Sequence, residues 1–223
     1  MKQLLRLILA MCLALLVPAT ALAQRHQVQV GDFTHLTVID DINVVYRCMP
    51  DSAGMAVVDC PQRVADNLIF SLNKKGRLSI QVTTDMALQC DAQLPTITVY
   101  SKQLDEAENA GDSTLTVYQP ATTDGNFKAR LSDNGKIIVH GLKAVEACLD
   151  ILTGRGTIVA DQVTATNVDC HIVGTGTINC NVNGGKLYVR GSGTGKVYYK
   201  GEPGKVTVRK LGTIKAIPMD QKQ

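Results

Sequence analysis

Four histidines, six cysteines after Cys12 and a basic run near the C-terminus are the side chains of this sequence that could do chemistry. His26, His35, His140 and His171 are scattered, with no i, i+2 or i, i+4 pair to grip a metal, so no metal site is expected. Cys48, Cys60, Cys90, Cys148, Cys170 and Cys180 include no C-x-x-C pair, the spacing shared by zinc sites and dithiol redox motifs. Their even number suits disulfides in an exported chain, with the connectivity left open. Cys148 and Cys170, 22 residues apart, are the candidate pair if adjacent coils of a repeat bring them together.

Catalytic constellations do not assemble. Cys170-His171 offers a nucleophile beside a base, but neighbours on a strand face opposite ways. Gly191-Ser192-Gly193 reads as a corner, since no helix follows it, and the other glycine turns are excluded as phosphate loops on the same ground. No cofactor is expected. Cleaving a polysaccharide would need two carboxylates roughly 5–10 Å apart across a groove. Asp150 and Asp169, 19 apart, could stack, but Glu146, Asp161 and Glu202 do not continue the line. Trp is absent and Phe occurs three times, so broad platforms for stacking sugars are scarce. The reading is a protein without a catalytic site.

One pattern stands out. Lys186-Leu187-Tyr188-Val189-Arg190, Lys196-Val197-Tyr198-Tyr199-Lys200 and Lys205-Val206-Thr207-Val208-Arg209 repeat basic, apolar, central, apolar, basic. With a period of two, Leu187, Val189, Val197, Tyr199, Val206 and Val208 turn inward. Lys186, Tyr188, Arg190, Lys196, Tyr198, Lys200, Lys205 and Arg209 then form a candidate ligand-binding surface for an anionic partner. A solvated face whose lysines keep strand edges apart is the structural alternative.

Strands must position these residues. Short runs rich in Val, Ile and Thr read as strands at Leu36–Ile39, Asn43–Cys48, Met55–Val58, Leu78–Val82, Thr96–Tyr100, Leu115–Tyr118 and, from Lys136 on, six more. Pro61–Asn67 and Leu104–Asn109 read as single helical turns. The glycines of Asn134-Gly135-Lys136-Ile137, Arg155-Gly156-Thr157-Ile158, Thr175-Gly176-Thr177-Ile178, Thr194-Gly195-Lys196-Val197 and Leu211-Gly212-Thr213-Ile214 lie 21, 20, 19 and 17 apart. Gly111 extends the series backwards by 24. A period near 20 marks a solenoid, in which each coil buries its apolar side on the next. The expected fold is all-β, a right-handed β-helix or solenoid-like stack with coils of about 20 residues in the second half. Antiparallel hairpins turning about every ten residues are the rival arrangement.

The first 23 residues read as a secretory signal: Lys2 and Arg6, an apolar run from Leu7 to Val17, and Ala21-Leu22-Ala23 before Gln24. That run is too short to span a bilayer, and no second one follows, so no transmembrane segment is expected in the mature chain. The signal holds two of the 23 basic residues and none of the 20 acidic ones, leaving a mature net charge of +1. From Asn181 onward nine basic residues face Glu202 and Asp220, a net of +7, so the anionic partner belongs at that end.

Gly31-Asp32-Phe33-Thr34-His35-Leu36-Thr37-Val38, Ile42-Asn43-Val44-Val45-Tyr46 and Pro50-Asp51-Ser52-Ala53-Gly54 resemble the opening of the exported "putative auto-transporter adhesin, head GIN domain" proteins. Gly76-Arg77-Leu78-Ser79-Ile80 and the later Gly-x-Gly-Thr turns are similar to that family's glycine-rich strands. The resemblance runs from about Val30 to Ile217 and implies a right-handed β-helix-like fold with no assigned chemistry. The six cysteines are a departure from it. The organisation expected is a signal (1–23), an N-terminal β region (24–105), a glycine-punctuated solenoid (106–217) and a tail (218–223). The function expected is an exported envelope binding module, adhesin-like or scaffolding, located in the periplasm, on the outer-membrane surface or outside the cell. Its partner would be an anionic polysaccharide, a lipid headgroup surface or an envelope protein, not a nucleic acid. A polysaccharide-acting β-helix enzyme and a periplasmic protein-partner module are the alternatives.

Overall fold

β-Branched residues at every second position and glycines between them favour extended strands joined at sharp corners. The computed structural model describes residues 24–83 and 94–219 and is nearly all-β, with 65% strand and 4% helix. The signal segment, Cys90 and the last four residues lie outside the described residues. In chain order come β1 (Gln24–Gln29), β2 (His35–Val38), β3 (Val44–Cys48), β4 (Met55–Cys60), β5 (Leu68–Leu72), β6 (Arg77–Val82) and β7 (Ile97–Ser101). Then follow β8 (Glu106–Asn109), β9 (Thr114–Tyr118), β10 (Asn126–Leu131), β11 (Lys136–Ile151) and β12 (Thr157–Gly174). The chain closes with β13 (Thr177–Asn183), β14 (Lys186–Gly193), β15 (Lys196–Glu202), β16 (Lys205–Gly212) and β17 (Lys215–Pro218).

Pro61–Asn67 does supply a helical turn, α1 (Gln62–Ala65). Leu104–Asn109 does not. It is strand β8, because Ala107 and Asn109 point into the core while Glu106 and Glu108 point out, a period of two rather than of a helix. Strands β1, β5 and β10 and the second halves of β11 and β12 escape the sequence reading.

The strands stack as a parallel β-solenoid of about five turns with roughly 21-residue spacing. Ladder A runs β6, β2, β8, β10, late β11, late β12, β14, β16. Ladder B runs β7, β3, β9, early β11, early β12, β13, β15, β17. Every one of these pairings is parallel, which removes the hairpin rival for the second half. Antiparallel strands occur at the N-terminal end, where β4 lies between β1 and β7, and β5 pairs with β6. Both ladders close on one core that includes Leu36, Tyr46, Leu115, Ile137, Leu149, Ile158, Cys170, Ile178, Leu187 and Val197.

Two features set the coil spacing. Gly135 shows the first: a methyl group there would collide with the Gly111 carbonyl oxygen and lie 2.6 Å from that of Ser113. The glycine column continues through Gly156, Gly176 and Gly195, but Gly212 stands over Gly193 instead. The Lys215 N–H bonds to the Gly195 carbonyl, so the rung after Gly195 is Ile214, 19 residues on, and the apparent slip to 17 was a change of column. The second feature is a run of Asx side chains at one corner. The Asp112 N–H donates to Asp41 Oδ1 (2.8 Å), Asn134 N–H to Asp112 Oδ1 (3.2 Å) and Arg155 N–H to Asn134 Oδ1 (3.1 Å). Each coil thus satisfies a backbone donor of the next.

Candidate functional site

The outer face of ladder A is a sheet of charge laid down row by row. β6 contributes Arg77, β8 Glu106 and Glu108, β10 Lys128 and Arg130, late β11 Asp150, and late β12 Asp169. Because parallel strands bring residues of successive coils side by side, opposite signs on nearby rows pair, with Arg77 reaching across the β2 row to β8. Arg77 reaches Glu106 and Glu108 at 3.3 and 3.2 Å, Arg130 reaches Glu106 at 3.3 Å, and Lys128 reaches Asp150 at 3.3 Å. Sequence reasoning missed this network, although Glu-Ala-Glu at 106–108 and Lys-Ala-Arg at 128–130, one coil later, were its signal.

The last two rows end the alternation. Lys186 stands beside Lys205 and Arg190 beside Arg209, so two basic rows adjoin. On ladder B, Lys196 stands beside Lys215 in the same way. All six basic residues anticipated from the sequence are exposed, and Tyr188 and Tyr198 lie half-buried at their strand centres. Lys186, Arg190, Lys205 and Arg209 gather on ladder A, while Lys196 and Lys200 belong to ladder B, across the core. Two of the eight are not free. Arg190 Nε bonds Asp169 Oδ1 at 3.2 Å, a contact that raises the guanidinium further above its ordinary pKa, and Lys200 Nζ reaches Asp161 at 2.8 Å. Lys186, Lys196, Lys205 and Arg209 make no ion pair among the described residues. Arg209 instead lies over the Tyr188 ring, 5.9 Å from its centroid.

The inward set divides at the last coil. Leu187, Val189 and Val197 are fully buried, whereas Val206 and Val208 keep 40% of their surface because no described strand covers them.

Cys148 and Cys170 do not meet. The coil there is 21 residues long, so Leu149 stands beside Cys170 and Cys148 beside Asp169. A one-residue offset turns the side chain to the other face of the sheet. Cys148 therefore points outward beside Glu146; its own partial burial, and then the Glu146 charge, push its thiol pKa up, while Cys170 is enclosed in the core. Cys48, Cys60, Cys148, Cys170 and Cys180 are all free thiols in the structure. The same spacing displaces the acids: Asp150 stands beside His171, two places from Asp169, and each carboxylate is held by its own cation.

Cys170 and His171 turn to opposite faces, the first buried and the second half-exposed. His26 bonds the Cys60 carbonyl, His35 the Thr34 hydroxyl, and His140 stacks on Tyr118 with centroids 4.9 Å apart. A shallow cleft of about 320 Å³ is lined by Asp40, Asp41, Asp112 and Asp133. Its carboxylates are engaged at the corners: Asp40 accepts the Val82 N–H, Asp41 that of Asp112, and both Asp112 and Asp133 that of Asn134. Among the described residues no group of three His, Cys, Asp or Glu is placed to hold a metal, and no helix is long and apolar enough to cross a membrane.

These features define a β-solenoid that presents flat, charged outer faces. The chain belongs to the family described as "Putative auto-transporter adhesin, head GIN domain", which matches residues 32–203. No curated protein matches it. Among solved structures, a "putative adhesin" from Bacteroides fragilis is similar with a TM-score of 0.63 at 17% identity, over 88% of this chain and 96% of that one. A "putative lipid binding protein" from Parabacteroides distasonis is similar with a TM-score of 0.54 at 16% identity, over 90% of this chain and 98% of that one. At such identities the two neighbours establish a shared fold. Membership of the family makes the chain adhesin-like, a type of protein that works outside the cytoplasm.

Proposed function

We propose that the chain is an envelope adhesin-like module that binds anionic polymers or headgroup surfaces through the basic rows of its last two coils. The observation that carries this reading is the side-by-side placement of Lys186 with Lys205 and of Arg190 with Arg209. Like charges on adjoining rows repel one another, and elsewhere on ladder A an acidic row relieves the repulsion. A polyanion or a phosphatidylserine-rich membrane surface would supply the missing sign, and the similar Parabacteroides protein is described as lipid binding. An acidic glycan and an anionic vesicle are therefore the two probes.

Binding of this kind weakens with salt, because the Debye length falls from about 10 Å at 0.1 M to about 3 Å at 1 M. Changing Lys186, Arg190, Lys205 and Arg209 to Gln removes it and leaves the fold intact, since all four point outward. Wild-type protein that shows no salt-sensitive binding to either probe refutes the reading. The enzyme alternative would have to use the acidic cleft, whose carboxylates already accept backbone N–H groups. That engagement favours a corner-capping role for them.

A further inference from the structure

The two ends of the solenoid are built differently. At the N-terminal end, β4 and β1 cover ladder B and β5 covers ladder A, all antiparallel to the stack. At the C-terminal end, among the described residues, β16 pairs with β14 alone. The Lys205 and Thr213 N–H groups donate back to the Gly185 and Gly193 carbonyls. By the alternation of a parallel ladder, the N–H and C=O of Val206, Val208 and Lys210 point away from β14, towards open space. Val206 and Val208 occupy the positions that Leu187 and Val189 hold one coil earlier, where exposure is 0%. Leu211 beside them is 77% exposed. The edge therefore offers backbone donors, backbone acceptors and apolar side chains at alternate positions.

Its charge says what belongs there. Along ladder A, Arg77, Lys128, Arg130 and Arg190 each find a carboxylate on a nearby row. Among the described residues the final row carries Lys205 and Arg209 with no carboxylate beyond it. A second copy of this chain laid edge to edge would bring Lys205, Arg209 and Lys210 against their own kind.

We propose that β16 is a docking edge for an extended acidic segment of a partner protein, which adds as the next rung of ladder A. Apolar residues at alternate positions of the segment cover Val206 and Val208, its carboxylates stand beside Lys205 and Arg209, and its backbone takes up the free groups of Val206, Val208 and Lys210. The inference concerns the same end of the molecule as the proposed function. It differs in requiring the edge backbone, which binding of a glycan or vesicle by side chains alone does not.

The test uses a short synthetic peptide alternating glutamate and valine, with a second peptide of the same composition in which the glutamates form one block. The alternating peptide is expected to bind the mature protein at low salt and to slow amide hydrogen exchange at Val206, Val208 and Lys210. The block peptide, and Val208→Pro protein with the alternating peptide, are expected to bind about tenfold more weakly, the effect of losing edge hydrogen bonds. Proline is tolerated on an edge strand where the N–H faces outward, so the variant keeps its bonds to β14. Acidic vesicles and glycans should bind the Val208→Pro protein as they bind the wild type. Equal binding of both peptides, or an unaltered exchange rate at the three amides, overturns the proposal and leaves only a charged surface. Absence of peptide binding means the basic edge serves only to keep strands apart. Self-association that protects the same amides makes a second copy the occupant and likewise overturns it.

Discussion

Asp169 restrains the face that is proposed to bind, so removing its charge should strengthen binding. The Asp169–Arg190 pair spans 3.2 Å with side chains 26% and 46% exposed, and such solvent-screened pairs contribute roughly 0.2–1 kcal/mol to stability. Asp169→Asn should therefore cost the fold less than about 1 kcal/mol while raising the charge of the ladder A face by one. A cation near an anionic membrane contributes about 1 kcal/mol, so the variant should bind phosphatidylserine vesicles about fivefold more tightly at low salt. The gain should vanish near 1 M salt, where the screening length is about 3 Å. Asp161→Asn is the matched control: it frees Lys200 across the core on ladder B, and vesicles held by ladder A alone will not respond to it. Vesicle sedimentation across a salt series, with thermal unfolding alongside, measures both quantities. Asp169→Asn protein that is stably folded and binds no better than wild type would refute the assignment of the ladder A face.

Other outcomes test the scaffold. Gly135→Ala should destabilise the protein by about 3 kcal/mol, since its methyl group would overlap the Gly111 carbonyl and sit 2.8 Å from Asn109 Nδ2. Gly184→Ala should cost only about 1 kcal/mol, because its strain is a φ of +80° with nothing within 4 Å, and urea titration of the two variants compares them. Burial raises the Tyr46 phenol well above its ordinary pKa, so stability should hold below about pH 10 and fall as pH rises beyond it. Tyr46→Phe should flatten that alkaline limb in denaturant melts repeated up the pH scale. In timed alkylation of native protein, Cys48 should react first among the described cysteines, then Cys148 with its raised pKa, and Cys60, Cys170 and Cys180 only on unfolding.

The glycines made the solenoid legible, because only a residue without a side chain lets one coil's corner lie on the carbonyl of another. The period was readable to within a residue or two, and strand pairing needs better than that. An error of one residue placed Cys148 and Cys170 on a single face, and an error of two stacked Asp150 on Asp169. The basic rows survived because their strands share one coil length, 19 residues, from Lys186 to Lys205 and from Lys196 to Lys215. The carboxylates that occupy Arg190 and Lys200 were invisible, since Asp169 and Asp161 lie one and two coils back. Strands β1 and β5 were missed for another reason: at the capped end they have no repeat to announce them.

β2 and β3 are early in the chain, yet they lie inside the stack, between β6 and β8 on one side and β7 and β9 on the other. That burial gives the molecule a polarity under force. A pull on the C-terminal end loads the bonds between coils one row at a time, as a zipper is opened, and each coil of 19 to 21 residues that lets go pays out its own length. At about 3.5 Å per extended residue each release lengthens the chain by roughly 65–75 Å. A single-molecule extension trace should show a regular sawtooth from the open end inward. The enclosed coil is paired on both sides and lies next to the antiparallel cover, so it should yield last, in one larger and stiffer event. A tether held by that end would therefore lengthen in steps under strain before the fold was lost.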